Sequence, residues 1–331
     1  MKKSNFVARL CPCHLAFALF AAGLAQTSQA QTTDWISLVW QNDLFSGRDG
    51  GGYTNGLFIS LYQVAEAEAE PLVEPTLIKP LSWLLNDGYD LAFNEHSVGQ
   101  VMITPADISK STPAPHEVPY AGLLTYRASR VLVNDNIADM VRTTVGVIGP
   151  ASMAEQSQKF IHKVVGSTEP KGWDYQLENE PVIAVRRARV WRYELSPMID
   201  TVLLAQGRAG NLESAVGAGA LVRFGRGLQR SFATTLLQQG RTSTPTAVED
   251  GWYLYGGFEA DYVFNNIFVN GNTYRDSPSS DLRHNQLSFT AGMSYAWDAF
   301  SVTFGYKSGT KLDIHDSSRD SFGTLSFAWK L

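Results

Sequence analysis

Leu287-Ser288-Phe289-Thr290-Ala291-Gly292-Met293-Ser294-Tyr295-Ala296-Trp297 alternates bulky apolar residues with small or hydroxyl-bearing ones at a strict period of two. That is the period of a β-strand whose two faces meet different media. The same beat runs through Phe300, Val302, Phe304 and Tyr306, and again through Leu325, Phe327, Trp329 and Leu331 at the C-terminus. A strand of a water-soluble sandwich usually turns charge to solvent, whereas the second face here is Ser, Thr, Gly and Ala. Aromatic residues gather near the ends of these runs, at Trp252-Tyr253, Tyr295, Trp297 and Trp329, where an interfacial girdle would sit. The expected fold is all-β, a transmembrane antiparallel barrel, although the chain ends on Leu331 and not on an aromatic residue. Periodicity leaves the strand number open: eight, twelve or fourteen strands of about ten residues would all fit the length.

The rest of the 331-residue chain narrows the class. Residues 1–30 read as a signal peptide: Lys2, Lys3 and Arg9 precede the apolar run Leu15 to Ala25, and Ser28-Gln29-Ala30 offers a cleavage site, with Ala25 as the rival. Cys11 and Cys13 both lie in that leader, so residues 31–331 contain neither a disulfide nor a thiolate for zinc or catalysis. No later stretch approaches the roughly 20 consecutive apolar residues of a membrane-spanning helix. A formal net charge of -5 with no dense Lys/Arg run gives no footprint for nucleic acid. No repeat of fixed period and no second domain is visible. Turn-forming clusters at Arg48 to Gly52, Pro105 to Pro119, Gly166 to Pro181, Asp276 to Asp281 and His315 to Asp320 mark the expected large loops.

One segment leaves the strand pattern. Between Pro150 and Gly166, Met153, Ser157, Phe160, Ile161 and Val164 recur at helical spacing, predicting an amphipathic helix near 151–165 packed by that stripe. Gln158 and His162, four apart, share a flank with Glu155. The other histidines, His96, His116, His284 and His315, fall in polar stretches that read as loops. A second cluster lies at Asn42-Asp43 and Asp49-Gly50-Gly51-Gly52-Tyr53-Thr54-Asn55-Gly56. Its side chains are oxygen donors, suited to a hard divalent cation, calcium above all, and not to zinc. Taken alone, such a segment is more often simply a hairpin.

Several blocks together carry a resemblance. Asn42-Asp43, Tyr53-Thr54-Asn55-Gly56, Gly99-Gln100-Val101-Met102 with Thr104-Pro105, Pro119-Tyr120-Ala121-Gly122 and Gly146-Val147-Ile148-Gly149-Pro150 stand in this order. Gln158 with His162, Gly172-Trp173-Asp174 with Gln176, Asn179-Glu180, and Asn265 to Thr273 follow them. This series, from Trp35 to the C-terminus, resembles the LpxR family of outer-membrane lipid A deacylases. The resemblance implies a twelve-stranded barrel in the outer membrane of a Gram-negative bacterium, with its active site between the outer wall and a helix of an extracellular loop. It implies removal of the ester-linked 3'-acyloxyacyl group from lipid A of lipopolysaccharide with a divalent cation, usually Ca2+. By the same likeness the catalytic histidine falls on His162, its glutamine on Gln158, the Asn-Asp pair on Asn42 and Asp43, and the threonine on Thr54. A family glutamate falls on Thr168, so the nearest carboxylate, Glu169, stands one residue late; a basic residue of the loop after Thr104-Pro105 corresponds to Lys110.

The residues permit that chemistry. A neutral imidazole at His162 can take a proton from water, and a cation held at Asn42 and Asp43 can polarise an ester carbonyl. A serine acyl-enzyme is disfavoured, since no Gly-x-Ser-x-Gly elbow is present. A monomer acting on lipopolysaccharide in the outer leaflet is the expectation. The rivals are a non-catalytic porin or structural barrel, which strong charge on the lumen-facing positions would favour, and an outer-membrane phospholipase using the same machinery. The readable inner faces, being Ser, Thr, Gly and Ala, speak against a channel.

Overall fold

The period-two runs of the sequence are strands of a closed antiparallel barrel in the computed structural model, which describes residues 33–43, 52–66, 70–85, 88–114, 117–228 and 250–331. Each strand pairs with its sequence neighbour, and the first closes on the last: β1 (Trp35–Asn42), β2 (Gly52–Glu66), β3 (Leu91–Thr104), β4 (Ala121–Asn134), β5 (Ile137–Ile148), β6 (Glu180–Ser196), β7 (Ile199–Gly210), β8 (Glu213–Arg226), β9 (Gly251–Asn266), β10 (Asn285–Trp297), β11 (Phe300–Thr310) and β12 (Arg319–Lys330). Closure runs from Trp35 opposite Lys330 to Asn42 opposite Gly323. No backbone edge is left to face hydrocarbon, which is what a membrane demands of β-structure. The signal-peptide reading, His116 and most of the Arg48 to Gly52 loop fall outside the described residues.

Alternation assigns the two faces. Trp40, Leu57, Ile59, Leu203, Phe224, Phe258, Phe289, Met293, Phe304 and Phe327 are exposed on the outer wall, whereas their strand neighbours point inward and are buried. At the end of the barrel that carries the termini, Phe224 contacts Trp252 and Trp297 contacts both Tyr295 and Phe300, with ring centroids 5.5 to 6.0 Å apart. Trp252, Tyr295 and Trp297 thus belong to the expected girdle, whereas Tyr253 turns into the lumen and is buried.

The lumen is more charged than the readable strands imply. Arg142 donates to Glu95 at 2.8 Å, Lys307 to Glu259 at 2.9 Å, Arg208 to Asp261 at 3.1 Å and Arg223 to Asp200 at 2.8 Å, all inside the barrel. The expectation of a Ser/Thr/Gly/Ala lumen therefore fails for β3 and β5 to β9. In β5 and β6 the inward charges are interleaved with outward ones, as in Arg186-Arg187, so no clean alternation can be read there. Charge alone does not make a pore, because Phe93, Met140, Val190, Tyr253 and Tyr255 fill the lumen at the terminal end of this belt. Toward the loop end, Tyr53, Ile103, Leu123 and Phe322 line a cavity of about 250 Å³ that the charged belt shares.

A second departure is the β2–β3 connection, which was not among the expected loops. Residues 70–85 lie across the outer wall of β3 to β6, with Leu72, Ile78 and Leu85 packed on the outward-facing Ala65, Ala92, Tyr126, Leu132 and Val141. This strap also supplies main-chain carbonyls to polar groups that would otherwise face lipid. Asn94 donates to Val73 O at 2.9 Å, Arg130 to Leu72 O at 3.3 Å, Thr143 to Leu77 O at 2.9 Å and Arg187 to Leu84 O at 2.8 Å. Asp139, also outward, neutralises both Arg187 and Arg189. His96 belongs to this wall, not to a loop: it sits in β3 with Nδ1 2.6 Å from the Tyr126 hydroxyl.

Burial of Ile78 under the strap predicts that Ile78→Ala lowers stability by about 2–4 kcal/mol through lost packing and a residual cavity. Urea-induced unfolding in detergent, followed by heat-modifiable gel mobility, measures it. Trp83→Ala, at a position 77% exposed, should leave the midpoint unchanged.

Candidate functional site

Local sequence turns a set of polar side chains outward at the loop end of β1 to β4. Asn42 is the last residue of β1, opposite Asn55 of β2, and lies on the same face as the exposed Trp40. In β2 the pairing with β3 slips between Tyr53 and Asn55, so Thr54 is an extra residue. Such a bulge re-aims a side chain: with Tyr53 buried in the lumen, Thr54 swings to the outer side, where its Oγ1 lies 2.8 Å from Thr104 Oγ1. Asp43 follows Asn42 directly and is half-buried.

The predicted helix exists, but with its faces reversed. A 3-10 turn at Pro150–Ser152 precedes α1 (Ala154–Val165), and Gly166 ends it at φ +71° with its N–H on His162 O. The stripe expected to pack against the protein points away from it: Phe160 and Val164 are each 69% exposed, and Met153 and Ile161 are exposed with them. The buried row is Ala154 and Gln158. The physical reason is the medium. Outside a membrane barrel the apolar phase lies beyond the helix, so the apolar face turns outward to lipid and the polar row turns toward the wall.

Docking of α1 depends on the absence of a side chain at Gly122 of β4. A Cβ there would lie 2.2 Å from Ser152 Oγ and 2.3 Å from Ala154 Cβ. Gln100 of β3 donates from Nε2 to Ser152 O at 2.7 Å, and Asn179 Oδ1 accepts from Ala151 N at 2.7 Å. The return segment is tied to the β3–β4 loop: Lys171 N donates to Ile108 O and Leu177 N to Tyr120 O. Beneath the helix, Met102, Tyr120, Ala154 and Trp173 form a small buried cluster.

His162 is half-buried on α1, and its Nδ1 lies 2.5 Å from Thr168 O. A carbonyl can only accept, so Nδ1 carries the proton and Nε2 is left as an acceptor. The imidazole is thus oriented by the main-chain carbonyl of Thr168. Glu169 itself is exposed and raises the pKa of Lys159 only as a minor contributor behind Glu155, which accepts from Lys159 at 2.7 Å. Gln158 is 3% exposed, with Oε1 accepting from Trp173 Nε1 at 2.7 Å. Lys110 sits in the β3–β4 loop with its ammonium exposed and 3.4 Å from Asp107, whose carboxyl is held below its usual range chiefly by Ser109.

The structure thus turns Asn42, Thr54, Thr104 and Gln158 to the outer side of the wall, with α1 packed on β3 and β4, and places His162 on the same helix as Gln158; it leaves Lys110 and Glu169 exposed. Sequence reasoning quoted Trp173 only as part of a block and gave no role to Thr104 or to the Thr168 carbonyl. Trp173 was detectable as the tryptophan of a polar loop stretch, but nothing in a sequence announces a main-chain acceptor. Among the described residues no three His, Cys, Asp or Glu side chains converge on a metal position. The oxygen donors at this end of β1 and β2, Asn42, Asp43 and Thr54, include a single carboxylate, which suits a hard cation completed by water or ligand oxygens and does not suit zinc.

A closed twelve-stranded barrel with an apolar outer wall and a polar seam under a lipid-facing loop helix defines an outer-membrane protein whose candidate site lies on the wall. A family model described as "Outer membrane protein LpxR" matches residues 11–331, and the chain belongs to the LpxR family. The structure of LpxR from Salmonella typhimurium aligns with a TM-score of 0.72 at 16% identity, covering 90% of this chain and 100% of that one. The β-domain of the Bordetella autotransporter BrkA aligns with a TM-score of 0.46 at 10% identity, covering 90% and 98%. No curated protein matches the chain by sequence.

The Gly122 contact yields a prediction. Gly122→Val forces Ser152 and Ala154 away and should undock α1 while the barrel stays closed. Limited proteolysis should then cut within 150–170 much faster than in the wild type, with unchanged heat-modifiable mobility.

Proposed function

We propose that this protein is a lipid A 3'-O-deacylase, hydrolysing the ester-linked 3'-acyloxyacyl chain of lipopolysaccharide by metal-assisted water attack at the outer-leaflet side of the outer membrane. The observation that carries the reading is the His162 imidazole, its Nδ1 fixed on Thr168 O and its Nε2 left to accept a proton, on a helix with its apolar face toward lipid. Membership of the LpxR family supports the same substrate class.

In this reading His162 Nε2 takes a proton from water as the oxygen attacks the ester carbonyl, a contribution of about 10²–10⁴-fold for a positioned base. The tetrahedral intermediate collapses with cleavage of the bond to the sugar oxygen. The imidazolium gives its proton to the departing sugar oxygen, which becomes the free hydroxyl, and the fatty acid leaves. Gln158, Thr54 and Lys110 are the candidate donors to substrate oxygens. Asn42 and Asp43 are the residues that would hold a divalent cation, calcium by donor chemistry, which when bound supplies positive charge to the carbonyl oxygen. Packing of Phe93, Tyr253 and Tyr255 at the terminal end of the lumen weighs against the porin reading, although the other half holds a cavity of about 250 Å³.

The test is mass spectrometry of lipid A after incubating purified lipopolysaccharide with the folded protein. His162→Ala should lose about 10²-fold or more of the activity, and Asp43→Ala and exhaustive chelation should each abolish release. Glu169→Gln should retain activity of the wild-type order, because the imidazole is held by a carbonyl. Full activity in a folded His162→Ala protein sinks the base assignment, activity after chelation sinks the cation site, and release from glycerophospholipids alone favours a phospholipase.

A further inference from the structure

The buried amide of Gln158 has one satisfied end and one unsatisfied end, and the chemistry of its partner says which is which. An indole Nε1–H can only donate. The atom 2.7 Å from it on Gln158 is therefore the carbonyl oxygen, and the N–H2 group must occupy the other branch. That Nε2 is buried and has no hydrogen-bond partner among the described residues. An orphaned buried donor costs about 1–3 kcal/mol, and of the buried side-chain polar atoms without a partner among the described residues Gln158 Nε2 is the one that lies under α1.

The indole is held from outside the helix it addresses. Trp173 is 1% exposed, its ring 5.0 Å from that of Tyr120, and Gly172 before it has no room for a side chain, since a Cβ would meet the Tyr120 ring at 2.5 Å. The main-chain bonds Lys171 N to Ile108 O and Leu177 N to Tyr120 O anchor both flanks. Gln158 comes from α1, and His162 follows it by four residues, about 6 Å along the axis on the same side.

We propose that Trp173 is a positioning residue: by claiming Gln158 Oε1, it presents Gln158 Nε2 as a donor in the seam between α1 and the wall, one turn from the acceptor nitrogen of His162. This rests on the hydrolase reading, in which the donor would meet the developing oxyanion while His162 takes the water proton. Without the indole the amide would be free to rotate and offer its carbonyl, which repels an oxyanion.

A double-mutant cycle on lipid A ester hydrolysis tests it, using Trp173→Phe, Gln158→Ala and the pair. Trp173→Phe should lower kcat by about 10-fold or more with KM little changed, in the range of a lost or misdirected oxyanion donor. In the Gln158→Ala background the same change should alter kcat by less than about twofold, since interacting groups are not additive. Equal losses in both backgrounds would mean that Trp173 only packs, and the proposal falls. Independently of activity, 15N-indole NMR in micelles should show one slowly exchanging indole proton that shifts and exchanges faster in Gln158→Ala. No change in any indole resonance overturns the pairing. Activity surviving His162→Ala would instead overturn the hydrolase reading while leaving the NMR result standing.

Discussion

Hydrocarbon offers no partner to a backbone N–H or C=O, and every other feature of this protein follows from that constraint. It forces closure of β1 onto β12, and it inverts the usual rule about which side of an element is buried. Trp40, Phe258, Phe289 and Phe327 are exposed because the solvent on their side is lipid. The same inversion governs α1, whose apolar residues turn away from the protein and whose buried row contains an amide. Polar groups on the outer wall must then be covered or satisfied locally. The strap of residues 70–85 does this at one end of β3 to β6, and α1 does it at the other.

The two coverings share a strategy and differ in outcome. Under the strap, Asn94, Arg130, Thr143 and Arg187 each find a main-chain carbonyl, and of these groups Arg130 Nε alone keeps no hydrogen-bond partner among the described residues. Under α1 the accounts are left open: Gln158 Nε2 has no acceptor among the described residues, and His162 Nε2 is free to accept. A bulge at Thr54 and a glycine at Gly122 create that second arrangement, the first by re-aiming a hydroxyl and the second by letting a helix backbone approach a strand. The candidate site is thus a place where the wall is covered but not fully satisfied.

How much of this a reader of the chain could see depends on the element. The strands β10 to β12 announce themselves because their inner faces are small and polar and their outer faces bulky. The strands β5 and β6 do not, because Arg186 beside Arg187 and Asp139 beside Met140 put charge or bulk on both faces, and the outward charge is tolerable only under a strap that local patterning cannot reveal. The helix was legible in its limits, with Gly166 closing it, but not in its orientation, since a hydrophobic stripe says that one side meets an apolar phase and not where that phase lies. Among the site residues, Gln158 and His162 were readable from four-residue spacing, whereas the partner of the imidazole was not, because a carbonyl belongs to every residue.

The amino-acid sequence by itself determined the period-two alternation that makes a barrel, the helix between Pro150 and Gly166, and the sharing of one helix flank by Gln158 and His162. Only the tertiary structure decided which flank meets the wall, that Thr168 O and Trp173 orient the two polar side chains, and that Thr54 faces outward. Periodicities and spacings are properties of neighbouring residues, while orientation is fixed by the surrounding medium and by contacts between segments far apart in the chain.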